Sequence, residues 1–163
     1  MEKLKVLGVS KSFDGESVIQ DIHIELQEGE LVSLLGISGG GKTTLFNVIA
    51  GLSLPDQGQV LLDGRDITGR PGNVSYMLQK DLLLPYRTIV DNVALPLLIK
   101  GAGKMEAREK ASAYFGQFGL EGTEMKYPGQ LSGGMRQRAA LLRTYLFSAD
   151  VALLDEPFSA LDM

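Results

Sequence analysis

A glycine-rich segment, "GISGGGKTTL" at residues 36–45, constrains the fold more than any other part of the sequence. It follows the apolar run "ELVSLLG", which is typical of a short strand, and it precedes "KTTLFNVIAGL", which predicts a helix that stops at Gly51. A strand, a glycine-rich loop and a helix in this order are characteristic of α/β domains. The sequence therefore predicts an α/β fold with a mainly parallel sheet.

The remaining segments fill in this prediction. "LKVLGVSKSF" and "VIQDIHIEL" are separated by the turn pair "DG", which predicts an antiparallel opening. "GQVLLDG" and "NVSYMLQ" predict two further strands, and "VALLDEP" predicts a buried strand that is apolar on both faces. The pattern is helical from Thr88 to Phe118, with breaks at Pro96 and "KGAGK", and again after Ser132, a plausible helix cap.

The composition limits the classes of partner. The chain has 163 residues, 44% of them hydrophobic, which fits one domain with a real core. A net charge of -4 and the lack of a dense basic tract argue against nucleic acid as a partner. Cysteine is absent, which excludes disulfides and thiolate metal sites. No apolar run has the length of a membrane span, so we expect a soluble protein.

The spacing of the glycine-rich segment points to a ligand. Gly36 to Thr43 follows the pattern G-x-x-x-x-G-K-[ST], in which bare backbone N–H groups and a helix N-terminus surround phosphate oxygens. Lys42 would reach the β- and γ-phosphates of a triphosphate, and the Thr43 hydroxyl would bind Mg²⁺. The alternative is a glycine-rich turn that matches the pattern by accident. The probability of such a match in a chain of this length is on the order of one in a hundred, before a flanking strand and helix are also required.

Two adjacent acids follow the last predicted strand. Asp155 could hold Mg²⁺ through water, and Glu156 could orient or deprotonate an attacking water molecule. An ordinary strand end before a proline turn is the alternative. The phosphate loop favours the catalytic interpretation, because a metal-bound triphosphate needs both roles.

A second anion site is predicted at "LSGGMRQ". Ser132, Gly133 and Gly134 open a helix with bare N–H groups, far along the chain from the phosphate loop. One triphosphate does not need two such sites in one subunit.

These motifs together resemble the ATP-binding subunits of ABC transporters. The segments "GISGGGKT", "MLQKDLLLPYRTIVDNV", "LSGGMRQR", "VALLDEP" and "SALD" occur in the order of that family and cover essentially the whole chain. The segment "LLPYRTIVDNV" is similar to the corresponding segment of the group that imports nitrate, sulfonates or taurine. The resemblance implies a P-loop NTPase core, an N-terminal antiparallel β subdomain and a helical subdomain at about residues 88–148 of a single nucleotide-binding domain.

The resemblance also assigns roles to individual residues. Phe13 matches the aromatic residue on which adenine stacks, and its alternative is a side chain that fills a sheet edge. Gln79 matches the glutamine that contacts Mg²⁺ and the water. The catalytic residues would be Glu156, Gln79 and Lys42, and the metal ligands Thr43, Gln79 and Asp155. The nucleotide would contact Phe13, Gly36, Ser38, Gly39, Gly40, Gly41, Lys42, Thr43, Thr44, Ser132, Gly133 and Gly134.

Partners follow from the same resemblance. Two subunits would pair head to tail, with Ser132 and Gly134 of one capping the γ-phosphate held by Lys42 of the other. "DLLLPY" would be an apolar docking surface for a transmembrane permease, or else a loop that packs on its own domain. A solute-binding protein would act indirectly, and the subunit would be peripheral on the cytoplasmic face of the membrane. ATP-driven closure would then switch the permease between its inward- and outward-facing states.

One departure from the family affects the expected activity. The family has a further strand after the Asp162 segment, between the strands that end at Gly36 and Asp155, and a histidine at its end contacts the γ-phosphate. This chain stops at Met163, so we expect an incomplete domain that is strained or supplemented by another segment. His23, the only histidine, alternates with Ile22 and Ile24 and is predicted to face solvent.

Two functions are therefore considered. The first is the ATP-hydrolysing subunit of a small-solute importer, and the second is a nucleotide-binding or interaction module without ATPase activity. We expect this chain alone to show little or no turnover.

Overall fold

The computed structural model describes residues 1–37 and 39–157. They divide into two compact units, the first formed by residues 1–74 with 149–153 and the second by residues 75–148 with 154–157. Among the described residues, no helix has the length and apolar character that a membrane crossing requires.

The first unit contains an antiparallel sheet and one helix. Strands β1 (Glu2–Phe13) and β2 (Glu16–Gln27) form a hairpin, and β3 (Gln57–Leu62) and β4 (Arg65–Asp66) extend it to the order β2-β1-β3-β4. Asp14 and Gly15 both have positive φ, as the tight turn of such a hairpin requires. The predicted antiparallel opening is confirmed.

One face of this sheet forms the core of the unit. Leu4, Val6, Val9 and Val60 are buried, whereas the neighbouring positions along β1 are more exposed. His23 lies on the solvated face of β2 and contacts the Asp21 carboxylate at 2.9 Å, as the alternation predicts.

Helix α1 (Lys42–Ile49) begins where the glycine-rich segment ends. Ala50 caps it, and Gly51 follows with a φ of 75°, so the predicted stop is confirmed. Leu45, Val48 and Ile49 are its buried residues.

The predicted strand over residues 30–36 is wrong. The segment is irregular in the structure, and the Leu31 and Leu35 side chains are 89% and 95% exposed. A strand exists only where a neighbour completes its backbone ladder. Within residues 1–37 and 39–157, no strand pairs with this segment. An apolar run alone therefore did not decide its conformation.

The second unit is mainly helical. Its elements are β5 (Ser75–Met77), α2 (Ile89–Val93), α3 (Leu95–Ile99), α4 (Lys104–Ser112), a 3-10 helix (Pro128–Gln130) and α5 (Gly133–Phe147). The predicted breaks are present, because α3 has a proline in its first turn and Gly103 caps α4. Ser132 caps α5, as predicted, by accepting a hydrogen bond from Met135 N at 3.3 Å.

The core of this unit lies between its helices. Phe115, Leu120 and Leu142 are almost completely buried in it, together with Ile89 and Val93 from α2. An ion pair adds to this packing, because Asp91 accepts two 2.7 Å hydrogen bonds from Arg108 of α4.

The last described strand, β6 (Ala152–Leu154), is shorter than predicted. Leu153 is buried, but Ala152 is exposed and Leu154 is 37% exposed. The prediction that this strand is buried on both faces is therefore wrong. Within the described residues, one face of this strand, which carries Ala152 and Leu154, is not covered by other side chains.

Candidate functional site

The phosphate loop of the first unit is built around Lys42. The Lys42 ammonium donates to the Gly36 and Ile37 carbonyls, each at 2.8 Å. Gly40 N also donates to the Ile37 carbonyl at 3.1 Å. The side chain of Lys42 therefore lies on the inside of the loop, at the first residue of α1. Ser38 was predicted to contact phosphate and lies outside the described residues.

Glycine occupies positions 39 and 41 of the loop for different structural reasons. Gly39 and Gly41 have φ values of 80° and 82°, which side-chain-bearing residues rarely adopt. A Cβ on Gly39 would meet nothing within 4 Å, whereas a Cβ on Gly41 would lie 2.6 Å from the Ile19 side chain. Gly41 is thus required by the approach of β2, a reason that the sequence did not reveal. A Cβ on Gly40 would lie 3.0 Å from the Ile37 carbonyl oxygen, so of these three glycines only Gly39 has open space at that position.

The N-terminus of α1 supplies the remaining phosphate-binding features. Leu45 N donates to the Gly41 carbonyl at 2.9 Å, so α1 starts directly at the loop. The first N–H groups of a helix have no acceptor within it and attract anions. Thr43, the predicted magnesium ligand, is exposed in this first turn, and Thr44 is half-buried.

Phe13 lies at the end of β1 and is 50% exposed. The Lys11 ammonium lies 5.4 Å from the centre of its ring. Half of the side chain is therefore exposed, which fits both a ring on which a flat base could stack and a side chain at the sheet edge.

In the second unit, the structure brings two predicted catalytic residues together. Gln79 Nε2 donates to Glu156 Oε2 at 2.7 Å, although the residues are far apart in the sequence. Glu156 has a φ of 49°, a left-handed conformation that is uncommon for a residue with a side chain. The carboxylate of Glu156 therefore has a defined neighbour and an unusual backbone.

Gln137 of α5 contacts the backbone of Glu156. It is buried, and its Nε2 donates to the Glu156 carbonyl at 3.2 Å. Since Gln137 lies in the helix capped by Ser132, this hydrogen bond connects the second predicted anion site to Glu156. Gln137 stands within "LSGGMRQ", but nothing in the sequence alone indicated this contact.

Asp155 is buried, in contrast to Glu156. Only 4% of Asp155 is exposed, and its N–H donates to the Met77 carbonyl at 3.0 Å. Burial, together with the negative charge of Asp155, raises the pKa of Tyr76 to about 12. The Tyr76 hydroxyl therefore stays protonated at neutral pH.

The donor types predicted for a metal fit magnesium. Thr43, Gln79 and Asp155 offer a hydroxyl, an amide and a carboxylate oxygen, the hard ligands that Mg²⁺ prefers. Among the described residues, no group of three or more His, Cys, Asp or Glu side chains could hold a metal ion. Thr43 lies in the first unit, and Gln79 and Asp155 lie in the second.

Comparison with known proteins decides the family. The profile described as "ABC transporter" matches residues 19–159. The chain belongs to the ABC transporter family. Its phosphate loop and the "LSGG" and "LLDEP" segments all lie within the matched region.

Curated relatives of this ABC chain include import subunits. It is 48% identical over 162 residues to the formylaminopyrimidine import ATP-binding protein of Halalkalibacterium halodurans, covering 99% of this chain and 63% of that protein. It is 41% identical to the taurine import ATP-binding protein of Pseudomonas aeruginosa, again covering 99% of this chain and 63% of the relative. The chain thus spans less than two thirds of the length of these relatives.

A solved structure shows the same fold. A dimeric ATP-binding cassette in a post-hydrolysis state, bound to ADP and Pi, matches with a TM-score of 0.88 and 30% identity. The match covers 98% of this chain and 76% of that cassette. The predicted fold class, a P-loop NTPase core with a β subdomain and a helical subdomain, is confirmed at this level.

Proposed function

We propose that the chain is the nucleotide-binding part of an importer subunit that binds MgATP and hydrolyses it. The observation that carries this proposal is the 2.7 Å hydrogen bond from Gln79 to Glu156. The position of Glu156 beside Asp155 at a strand end predicts a general base, and Gln79 matches the glutamine of the family that contacts Mg²⁺ and the water. These two side chains, predicted on separate grounds, are hydrogen-bonded to each other.

The phosphate loop would bind the triphosphate. Lys42 would exchange its two carbonyl acceptors for β- and γ-phosphate oxygens, a stronger interaction because the acceptors are charged. The amides at the start of α1 would donate to the same phosphates. Phe13 would stack on the adenine with its exposed face. Mg²⁺, when bound by Thr43, Gln79 and Asp155, would neutralise charge on the phosphates.

Hydrolysis then depends on Glu156. Its carboxylate accepts a hydrogen bond from Gln79 on Oε2, and a carboxylate oxygen can also accept the proton of a water molecule. As the water oxygen bonds to the γ-phosphorus, the bond from that phosphorus to the β,γ-bridging oxygen breaks and ADP leaves. The water proton passes to Glu156, and Gln79 keeps the carboxylate and the water oriented.

The partners belong to the same proposal. A second subunit would place Ser132, Gly133 and Gly134 against the nucleotide held by Lys42, and two of the solved cassettes that this chain matches are dimeric. Residues 79–88, which we call the Gln79 loop, would contact a transmembrane permease. In this loop Leu82 is 53% exposed and Tyr86 is 73% exposed. Their exposure supports docking over packing on the chain's own domain.

The proposed location follows from these partners. A subunit that docks on a permease would lie at the cytoplasmic face of the membrane, and a solute-binding protein would act through the permease. Imported solutes would then be small molecules, since the relatives are named for formylaminopyrimidine and taurine import.

The test measures ATP binding and hydrolysis separately. We expect MgATP to bind to the chain in an equilibrium titration, and Lys42→Ala to weaken binding by about tenfold or more, since a charge-assisted contact is lost. Glu156→Gln should bind MgATP as the wild type does but hydrolyse it at least ~100-fold more slowly in a single-turnover assay. Glu109→Gln, an exposed position on α4, is the matched control.

Two outcomes contradict the proposal. Equal and measurable hydrolysis rates in wild type and Glu156→Gln would reject Glu156 as the base. The absence of any Mg-dependent affinity for ATP would reject the whole assignment. Because this chain is expected to turn over slowly, the single-turnover assay uses protein in excess over labelled ATP.

A further inference from the structure

The first half of the Gln79 loop has a conformation that needs external support. Leu82 has a φ of 44°, which is unfavourable for a branched side chain in a loop. Asp81 Oδ1 accepts a hydrogen bond from Leu83 N at 3.1 Å, a local turn that covers only this part of the loop. Leu82 itself is exposed, so burial of its side chain does not hold the conformation.

Arg143 of α5 supplies this support. Its Nη1 donates to the Leu82 carbonyl at 3.0 Å and its Nη2 donates to the Asp81 carbonyl at 2.6 Å. The planar fork of a guanidinium suits two consecutive carbonyls, which a single ammonium cannot reproduce. Burial lowers the pKa of Arg143 and the Asp81 charge raises it, but an arginine side chain stays protonated.

Arg136 adds a second attachment on the same side of the helix. Its Nε donates to Asp81 Oδ2 at 3.2 Å, and its Nη1 donates to the Leu131 carbonyl at 2.8 Å. Arg136 and Arg143 are two helical turns apart, so their side chains lie on one face of α5. Both bonds of Arg143, however, are to the backbone, so they hold the main chain of residues 81 and 82 directly.

The second half of the loop is held by a different residue. Asn92 is completely buried and bonds to Leu84, Arg87 and Thr88, which fixes residues 84–88 on α2. The Gln79 loop therefore has one half attached to α5 and the other attached to α2. These attachments can be removed separately.

We propose that Arg143 is a positioning residue that makes residues 79–83 move as one body with α5. The same helix begins at the cap Ser132, and the same loop segment begins at Gln79, which contacts Glu156. Movement of α5 is thereby transmitted to Gln79. This role in linking the nucleotide site to the loop rests on the proposed function, whereas the attachment itself does not.

A pair of spin labels measures the attachment directly. The chain contains no cysteine, so Lys80→Cys and Glu109→Cys place labels at two chosen exposed positions, one on the loop and one on α4. A second pair, Tyr86→Cys with Glu109→Cys, reports on the half of the loop held by Asn92. Arg143→Met should broaden the distance distribution of the Lys80 pair about twofold and leave the Tyr86 pair unchanged.

Three variants make this result specific. Arg143→Lys keeps the charge but loses the fork, so it should broaden the Lys80 pair nearly as much as Arg143→Met. Arg138→Met is the matched control on the same helix, since among the described residues Arg138 donates to the Gly119 carbonyl at 3.4 Å and makes no hydrogen bond to the loop. Arg136→Gln should broaden the Lys80 pair less than Arg143→Met, because the backbone bonds remain.

Each outcome decides the proposal. An unchanged Lys80 pair in Arg143→Met overturns it, and so does equal broadening of both pairs, which means general loosening of the unit. Should Arg143→Met not fold, the same comparison is made with Arg143→Lys. Single-turnover hydrolysis should fall about tenfold in Arg143→Met, with the Kd for MgATP unchanged within about twofold. No ATP binding by the wild type would reject the proposed function, while the label distances would still test the attachment.

Discussion

Replacement of Asn92 by alanine tests how the helical unit holds the Gln79 loop. Asn92 Oδ1 accepts from Leu84 N at 2.7 Å, and its Nδ2 donates to the carbonyls of Leu84, Arg87 and Thr88 at 3.0 to 3.2 Å. Two of these carbonyls keep a backbone donor without the side chain, Leu84 O from Arg87 N and Thr88 O from Asn92 N. In the part of the chain that the structure describes, Leu84 N and Arg87 O have no other partner.

The magnitude follows from these two groups. Each backbone group left unsatisfied costs about 1–3 kcal/mol, with the lower value appropriate because water can reach a surface loop. Adding the lost packing of a completely buried side chain gives a fall of about 2–4 kcal/mol in the free energy of unfolding. This corresponds to a decrease of roughly 1–2 M in the urea midpoint for a domain of this size.

Urea titration followed by far-UV circular dichroism measures this change, since α2 to α5 all lie in the second unit. Asn73→Ala is the control, because the Asn73 side chain makes a single hydrogen bond within the described residues, to the Arg70 carbonyl, and its loss should cost about 1 kcal/mol or less. A loss below about 0.5 kcal/mol in Asn92→Ala would refute the argument, because it would mean that water replaces all the lost bonds.

Two further predictions concern the phosphate loop and the ion pair of the helical unit. Gly41→Ala should lower the melting temperature more than Gly39→Ala. Both residues have positive φ, but only a Cβ at position 41 would lie 2.6 Å from the Ile19 side chain. Equal effects of the two substitutions would contradict this steric reason. The Arg108 guanidinium holds the pKa of Asp91 below its ordinary value, so the stability this pair contributes is complete above about pH 4 and is lost as the pH falls through the lowered pKa. Asp91→Asn should therefore flatten the acid limb of a plot of unfolding free energy against pH, and an unchanged limb would show that other carboxylates cause it.

Local sequence signals were sufficient for elements that depend on local contacts. The turn at Asp14 and Gly15, the stop at Gly51 and the cap at Ser132 each follow from residues within a few positions of one another. In each case the physical cause is a backbone angle or a single capping bond. Such features do not depend on the rest of the chain, so the sequence predicts them well.

Features that depend on distant partners were predicted poorly or not at all. Residues 30–36 were predicted as a strand from their apolar character, although a strand needs a neighbour that the described residues do not supply. The Gln137 bond to Glu156 and the Arg143 bonds to the loop join segments that no periodicity connects. The assignment of Gln79 came only from family resemblance, because an isolated glutamine carries no signal of its own.

The irregular segment at residues 31–37 affects how the chain should behave in solution. Leu31, Leu35 and Ile37 are all more than 80% exposed, on a stretch whose backbone has no sheet partner within the described residues. Exposed apolar side chains on a segment without a sheet partner favour association with other chains. At high protein concentration the chain should therefore associate through this segment, and a charged substitution such as Leu35→Lys should keep it dispersed.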